Sequence, residues 1–376
     1  MRNSSGMVDT TKQNCPYRTL PRTAYWRNSV AQVAPSDLDP VTTPRFTFTS
    51  DTKIATAGSC FAQHIARYLQ TVGSNYFVTE PGHPKLPSSI RLDYNYGTFT
   101  ARFGNIYTSS QLVQLFDRAY GRFNPAEQPW GSGDGLIDPF RPAIQPGGFA
   151  TQAEFDRDRE AHFAAVRHMF ESLDVFVFTL GLTEGWRTKE DGAMLPVCPG
   201  CGAGGTFDPD RYEFVNEKVS DVVENLEGLI VRLKAVNPDA KILLTVSPVP
   251  LIATYSGKHV LSATSYSKSV LRAAAGEVYD RHSHVDYFPS YEIITGAYNR
   301  GAYFGEDLRS VEEAGVRHVM KQMFKHYLNL ELMPEKEVPR TSPQQAHPPA
   351  SIGGPGASSA SSHVARVVCD EELLDP

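Results

Sequence analysis

Short apolar runs alternate with longer amphipathic segments from about residue 45 to residue 332. The short runs are nearly continuous in apolar residues, which is typical of strands buried on both faces. The longer segments repeat apolar residues every three or four positions, as the buried side of a helix does. Strands are predicted at Ile54–Ala57, Val175–Leu180, Ile242–Val246 and Val285–Phe288. Helices are predicted at Phe61–Val72, Ser110–Ala119, Ala153–Ser172, Asn216–Val236, Tyr266–Tyr279 and Val311–Leu328.

This alternation predicts an α/β fold, in which helices cover both faces of a parallel central sheet. In such a sheet the functional site lies beyond the carboxyl ends of the strands. The residues that follow the four predicted strands are Gly58-Ser59-Cys60, Gly181-Leu182-Thr183-Glu184, Ser247-Pro248-Val249 and Pro289-Ser290-Tyr291. Polar groups therefore collect at the edge of the sheet where a site is expected.

Composition divides the chain into three parts. Residues 1–44 are polar and interrupted by proline, which predicts an irregular lead-in. Residues 45–332 form the α/β domain, with a loop-rich insertion at about 80–150 whose aromatic side chains suit either stacking on a sugar or packing on the body. Residues 333–376 are rich in Pro, Ser and Gly, so we expect a disordered tail. Within it, residues 363–376 regain an apolar pattern suited to a short docking motif.

Charge and composition exclude several classes of protein. The net charge is −6 and the 36 Lys and Arg residues are dispersed, so no nucleic-acid partner is expected. No apolar stretch reaches the roughly 18–20 residues of a membrane span, and the N-terminal residues lack the apolar region of a secretory signal. Five cysteines are an odd and sparse set that fits a reducing compartment. We therefore expect a cytoplasmic protein without a membrane span.

The segment from Asp51 to Val72 carries the strongest chemical signal. An apolar run stops at Gly58, Ser59 and Cys60 follow at once, and a helical pattern begins. A strand, turn and helix of this kind place two nucleophiles at a helix N-terminus, where free N–H groups lower a thiol pKa and hold an oxyanion. The pattern alone fits a serine cap and a small buried cysteine equally well. The position at a strand end favours the functional interpretation.

The pentapeptide Gly58–Ala62 resembles the signature of the GSCFA family, which is related to the SGNH (GDSL-like) hydrolases. The resemblance covers roughly residues 45–330 and implies a three-layer α/β/α, flavodoxin-like sandwich with esterase or acyltransferase activity. Aligned without gaps on the Gly-Asp-Ser turn of SGNH enzymes, Cys60 takes the place of the nucleophilic serine. A turn shifted by one residue would put Ser59 there instead. Further matching segments are Asn105–Thr108, Leu180–Glu184, Ser247–Val249 and Asp286–Glu292.

The resemblance also implies an oxyanion hole and a general base, and here the chain departs from the SGNH pattern. Where those enzymes have an oxyanion-binding Asn, this chain has Thr183, which either donates a weaker hydrogen bond or caps the following turn. The Asp-x-x-His element corresponds to Asp307, but the third residue after it is Ser310. The imidazole would then come from His259, in the loop after the third strand, or from His64, one helical turn after the nucleophile.

The candidate site thus has two groups of residues. The catalytic candidates are Cys60, Ser59, His259 and Asp307. The oxyanion or substrate candidates are Gly58, Asn105, Thr183, Glu184, Arg187 and Arg309. We expect no metal and no other cofactor, because the single CxxC pair at Cys198–Cys201 has no further ligands near it in the sequence.

Two functions from different classes follow. The first is an SGNH-like acyl esterase or acyltransferase that acts on a small-molecule or glycan acyl substrate, with a carbohydrate or glycoconjugate as the expected class. The alternative is a non-catalytic binding or assembly protein on a degenerate SGNH scaffold. The missing histidine and the missing oxyanion Asn are the best support for this alternative.

Overall fold

The computed structural model of the chain describes residues 15–133, 135–330 and 370–374. Its strands are β1 Ile54–Gly58, β2 Trp130–Ser132, β3 Gly135–Ile137, β4 Val175–Leu180, β5 Glu184–Thr188, β6 Met194–Leu195, β7 Tyr212–Asn216, β8 Lys241–Val246 and β9 Val285–Tyr287. Its α-helices are α1 Cys60–Thr71, α2 Ser88–Asp93, α3 Ser109–Ala119, α4 Gln152–Ser172, α5 Val219–Val236, α6 Val260–Arg281, α7 Ser290–Thr295 and α8 Glu313–Met323. No helix in these ranges is both long and apolar enough to cross a membrane.

The central sheet is parallel, and its strands lie in the order β1, β4, β8, β9. On the free side of β1, residues 75–77 run parallel to it. The Ile54 N–H donates to the Asn75 carbonyl at 3.0 Å, and the Phe77 N–H donates to the Ile54 carbonyl at 2.9 Å. Counting this bridge as the second strand, the order is 2-1-3-4-5, as in flavodoxin-like folds. In that order a ligand is expected at the carboxyl ends of β1 and β4.

Side chains of the central strands alternate between two apolar cores. Phe176 and Phe178 of β4 belong to the core that includes α3, α4, α5 and α6. Val175 and Val177 belong to the core on the other face, with α1, α7 and α8. Burying each such side chain contributes about 1.5–3 kcal/mol relative to leaving it exposed. Helices therefore cover both faces of the sheet, which confirms the predicted three-layer α/β fold.

A small antiparallel sheet, in the order β6, β5, β7, stands beyond the carboxyl end of β4 and was not predicted. Across the β5–β7 pair, the Trp186 and Phe214 ring centroids are 5.8 Å apart. This pairing explains why the helix predicted from Asn216 begins only at Val219, since Asn216 is the last residue of β7. The small sheet becomes one wall of the candidate site.

The insertion at about 80–150 is attached to the body by a buried network of charges. Arg102 and Arg141 both donate to the carboxylate of Asp158 on α4, at 2.8 and 2.7 Å, and Arg141 also donates to Asp138 at 2.7 Å. The side chains of the two arginines are 1 % and 2 % exposed. A buried charge costs several kcal/mol unless it is paired, so each member of this network requires the others.

We expect Arg141→Met to destabilise the fold by about 3–5 kcal/mol, because it leaves two carboxylates without their buried partner. Urea unfolding followed by circular dichroism measures the loss. The matched control is Arg159→Met on α4, whose pair with Asp156 is 41 % and 46 % exposed. That change should cost less than about 1 kcal/mol. Equal losses in the two variants would contradict a structural role for the buried network.

Candidate functional site

Gly58, the last residue of β1, makes the sharp turn into α1. Its φ is +143°, and a Cβ there would lie 2.4 Å from the Thr179 carbonyl oxygen of β4. Glycine alone tolerates both the backbone angle and the close approach. Ser59 is then the N-cap residue of α1, and Cys60 is its first helical residue. The predicted strand, turn and helix are therefore present, and the positive end of the helix dipole favours negative charge at this point.

Both nucleophile candidates are nearly buried, with Ser59 3 % and Cys60 7 % exposed. The Ser59 hydroxyl does not cap α1, and among the described residues it has no hydrogen-bond partner. The same holds for the hydroxyl of Thr179, which is paired in register with Gly58. Burying a hydroxyl without a partner costs about 1–3 kcal/mol. Two such groups therefore lie together, closed off from solvent, where β1 and β4 end.

The end of β4 and the segment before α3 close in on this turn. A Cβ at Gly181 would lie 2.9 Å from the Ser59 Cβ and 3.0 Å from the Tyr107 carbonyl oxygen. The Tyr107 carbonyl accepts hydrogen bonds from the N–H groups of Gly181 and Leu182 at 3.2 and 2.9 Å. The Ile106 N–H donates to the Gly58 carbonyl at 2.8 Å. Three chain segments thus meet within van der Waals contact at the crevice between β1 and β4.

Asn105 lies buried in this crevice. Its Oδ1 accepts from Gln63 Nε2 of α1 at 2.9 Å, and its Nδ2 donates to the Asp370 carboxylate at 2.8 Å. The Tyr107 hydroxyl donates to the same carboxylate at 3.2 Å and accepts the Asp370 backbone N–H at 3.0 Å. Burial raises the pKa of Asp370 above its usual range, although these two hydrogen bonds act in the opposite direction. A predicted site residue is thus in contact with the C-terminal segment.

Lys268 of α6 lies at the same edge and was missed by sequence reasoning. Its side chain is 1 % exposed, and its Nζ donates to the Gly181 carbonyl at 2.7 Å. The neighbouring Ser267 hydroxyl accepts the Thr183 N–H at 3.0 Å. The sequence contains a signal for this, because Ser267 and Lys268 stand one helical turn before Leu271 and so share the buried face of α6 with it. A lysine on a buried helix face indicates a specific partner.

The Thr183 hydroxyl donates to Asn216 Oδ1 at 2.7 Å, and Thr183 is fully buried. A hydroxyl carries one proton. The hydrogen bond from this hydroxyl therefore connects the segment after β4 to the last residue of β7. A second connection is made by the Thr183 carbonyl, which accepts the Glu217 N–H at 2.8 Å. Thr183 thus connects the central sheet to the small antiparallel sheet.

Asp307 and Arg309 lie in the loop before α8. The Asp307 Oδ1 accepts the backbone N–H groups of Arg309 and Ser310 at 3.0 and 2.9 Å. The Ser310 hydroxyl, followed by these N–H groups, lowers the pKa of Asp307, so its carboxylate is ionised at neutral pH. Ser310 thus donates to this carboxylate through both its backbone N–H and its hydroxyl.

The two candidate histidines differ in exposure. His259 is exposed at the N-cap of α6, where its Nδ1 accepts the Leu261 N–H at 3.2 Å. His64 lies on α1 with its Nδ1 3.2 Å from the Arg67 guanidinium. Burial and then the charge of Arg67 lower the pKa of His64 to about 4. His64 is therefore uncharged at neutral pH and a weak base, which leaves His259 as the stronger candidate for proton transfer.

A cavity of about 620 Å³ lies beside Leu182, between the small antiparallel sheet and the loop after β8. Its wall is largely apolar and includes four aromatic side chains, from Trp186, Phe207, Phe214 and Tyr255. We call it the aromatic cavity, and the Trp186 and Tyr255 ring centroids in it are 4.9 Å apart. Glu184 is the charged residue of this wall, and its carboxylate accepts the Thr254 hydroxyl at 2.8 Å. Burial raises the pKa of Glu184, although the Thr254 bond opposes that shift. Apolar cavities with a few polar groups are typical of small-molecule sites.

Other polar groups of this region have partners outside the cavity or carry no charge. Arg187 pairs with Glu213 across β5 and β7 at 2.6 Å, and both side chains are exposed. Cys198 and Cys201 line the cavity as free thiols. Burial, followed by the neighbouring Cys201, raises the pKa of Cys198 to about 12, so this thiol is protonated at neutral pH. Within the described ranges, no group of three or more potential ligands is arranged to hold a metal ion.

These features define an α/β protein of flavodoxin-like strand order, with a Gly-Ser-Cys turn at its switch point and an aromatic cavity beside it. The family model of the GSCFA family matches residues 53–323. The chain therefore belongs to the GSCFA family. No curated protein matches the chain.

One solved structure with similarity to the chain is described, provisionally, as a platelet activating factor from Streptococcus pneumonia. The two are 15 % identical, with a TM-score of 0.25, and the match covers 45 % of this chain and 64 % of that one. The chain thus spans less than two thirds of the length of that protein. At this distance the likeness says nothing about activity.

We expect Gly58→Ala to lower the free energy of unfolding by more than about 2 kcal/mol, since it combines an unfavourable φ with overlap against the Thr179 carbonyl. Gly73→Ala is the matched control: it also has positive φ, but its Cβ would meet nothing within 4 Å. Its cost should stay near 1 kcal/mol. Thermal and urea unfolding of both variants measure the difference. Equal costs would show that the contact between β1 and β4 does not restrict this turn.

Proposed function

We propose that the chain is an acyl esterase or acyltransferase of the SGNH type, with Cys60 as its nucleophile. The observation that carries the proposal is the position of Cys60 at the N-terminus of α1, in the crevice between β1 and β4. The buried Asn105 amide and the unpartnered Ser59 hydroxyl support it as polar groups of the same crevice, and Gly181 supports it because it allows the close approach of Ser59. Ser59 remains the second candidate for the nucleophile.

In the proposed reaction, Cys60 Sγ loses its proton and attacks the carbonyl carbon of an ester. A C–S bond forms, and the carbonyl electrons move to oxygen as an oxyanion. The positive end of the α1 helix dipole stabilises this charge, assisted by the Asn105 amide. When the tetrahedral intermediate collapses, the C–O bond breaks and the leaving alkoxide takes up the proton. Water or an acceptor hydroxyl then attacks the thioester and restores the thiol.

Proton transfer is assigned to His259, with Asp307 as a positioning candidate. The exposed ring of His259 supports this choice over His64, whose pKa is lowered to about 4. Arg309 would bind the substrate at the same loop as Asp307. A cytoplasmic location is part of the proposal, because thiolate chemistry requires Cys60 to stay reduced.

We assign the substrate to the aromatic cavity, with a carbohydrate or glycoconjugate as one candidate class. Trp186 and Tyr255 are partly or largely exposed there, and Glu184 can accept a hydrogen bond from a hydroxyl. The aromatic residues of the insertion are less suitable, since Trp130 and Phe149 are buried in the body. Any stacking on a sugar is thus assigned to the cavity wall.

A non-catalytic binding protein is the second candidate function. The favouring observation is that Asp307 closes its own loop with Ser310, at the position where SGNH enzymes hold their histidine. The aromatic cavity would then bind a ligand without chemistry at Cys60.

We expect a covalent acyl adduct at Cys60 after prolonged incubation of the full chain with p-nitrophenyl butyrate, detected by peptide mass spectrometry. Iodoacetamide should label Cys60 faster than Cys198, whose thiol pKa is raised to about 12. The labelling rate of Cys60 should increase with pH, and the midpoint of this increase should lie below about 8.5, the usual pKa of a free thiol. His259→Ala should slow both reactions.

The matched control is Cys15→Ala, which removes an exposed thiol outside the cavity lining and should keep the adduct. Ser59→Ala distinguishes the two nucleophiles, because it should also retain the adduct if Cys60 reacts. An adduct that maps to Ser59 would move the nucleophile by one residue. If Cys60 labels no faster than Cys198 and no adduct forms, the binding function is the one that remains.

A further inference from the structure

Residues 370–374, a short 3₁₀ helix, contact two parts of the candidate site at once. Asp370 is 5 % exposed, and its carboxylate accepts hydrogen bonds from the Asn105 amide and the Tyr107 hydroxyl. Leu374 lines the aromatic cavity beside Leu182. A carboxyl group and an aliphatic group of the chain itself therefore occupy neighbouring places at the same edge of the sheet.

The polar part of this contact is built from buried groups. Asn105 is 3 % and Tyr107 2 % exposed, and the Asn105 side chain is oriented by Gln63, which lies one helical turn after Cys60. Hydrogen bonds to a charged group are worth about 1.5–3 kcal/mol each. Buried donors of this kind select a group with carboxyl oxygens over one that lacks them.

An apolar cluster adjoins these polar groups at Tyr107. Tyr107, Leu182 and Leu251 form one apolar cluster, and the latter two also line the cavity. A 3₁₀ helix rises about 2 Å per residue, so Asp370 and Leu374 are about 8 Å apart along its axis. This separation corresponds to an acyl chain of medium length.

We propose that Asn105, Tyr107 and the aromatic cavity form one binding site for medium-chain carboxylic acids and their esters, which residues 370–374 occupy as an internal competitor. The carboxyl group binds at Asn105 and Tyr107, and the aliphatic chain enters the cavity. This inference rests on the proposed function, for which it names the acyl group. The chain's own C-terminal segment then lowers the affinity for such a compound until it is displaced.

The test is the dissociation constant for decanoate, measured by calorimetry on the full chain and on full-length Asp370→Ala. Removing the carboxylate should free the site and tighten decanoate binding at least about tenfold, since the segment loses two hydrogen bonds to its carboxylate and each such bond is worth roughly that factor. Leu374→Ala should tighten binding by a smaller factor. Glu277→Ala is the matched control, because its exposed carboxylate pairs with Arg281 and should change nothing.

Two further measurements separate the parts of the proposal. A synthetic peptide of residues 363–376 should compete with decanoate on Asp370→Ala, which tests the competitor directly. Adding Asn105→Ala to Asp370→Ala should remove the gain in affinity, and decanol, which lacks the carboxyl group, should bind more weakly than decanoate. Thermal unfolding checks that each variant is folded.

Unchanged decanoate affinity in Asp370→Ala, or decanol bound as tightly as decanoate, would overturn the inference. These outcomes do not depend on Cys60, because all the readouts measure binding. Tight decanoate binding without an acyl adduct would keep the binding site and reject the esterase. An adduct without the Asp370 effect would keep the esterase and reject the internal competitor.

Discussion

The close approach of the β1 and β4 backbones at their carboxyl ends is the constraint on which the candidate site depends. At Gly58 a side chain would overlap the carbonyl of Thr179, and at Gly181 it would overlap Ser59. Because both positions are glycine, the chain can turn at once into α1, and Cys60 becomes its first residue. A larger residue at either place would separate the two strands and displace the turn that carries Ser59 and Cys60.

The remaining parts of the structure hold this crevice in place from two sides. Apolar cores on both faces fix the direction of the central strands, and the buried charges around Arg102 and Arg141 attach the insertion to α4. The small antiparallel sheet and the loop after β8 add a cavity beside the crevice. Reactive groups and a binding volume thus come from different segments of the chain that meet at one edge.

Several polar groups of the candidate site are bound by partners within the chain. The Thr183 hydroxyl donates a hydrogen bond to Asn216, and the Asp307 carboxylate accepts one from Ser310. The buried Nζ of Lys268 donates a hydrogen bond to the Gly181 carbonyl. These three contacts fix the positions of Thr183, Asp307 and Lys268 within the fold.

Sequence alone determined the four central strands, the six long helices and the turn at Gly58, because these depend on near neighbours. The strand and helix periodicities report which face is buried, and Gly58 with the two residues after it specifies a strand-to-helix turn locally. Only the tertiary structure decided the partners of the polar side chains. Asn105 meets Asp370 across 265 residues, and Lys268 meets Gly181 across 87. Periodicity carries no information on such distant contacts, since a hydrogen bond depends on which segments the fold brings together.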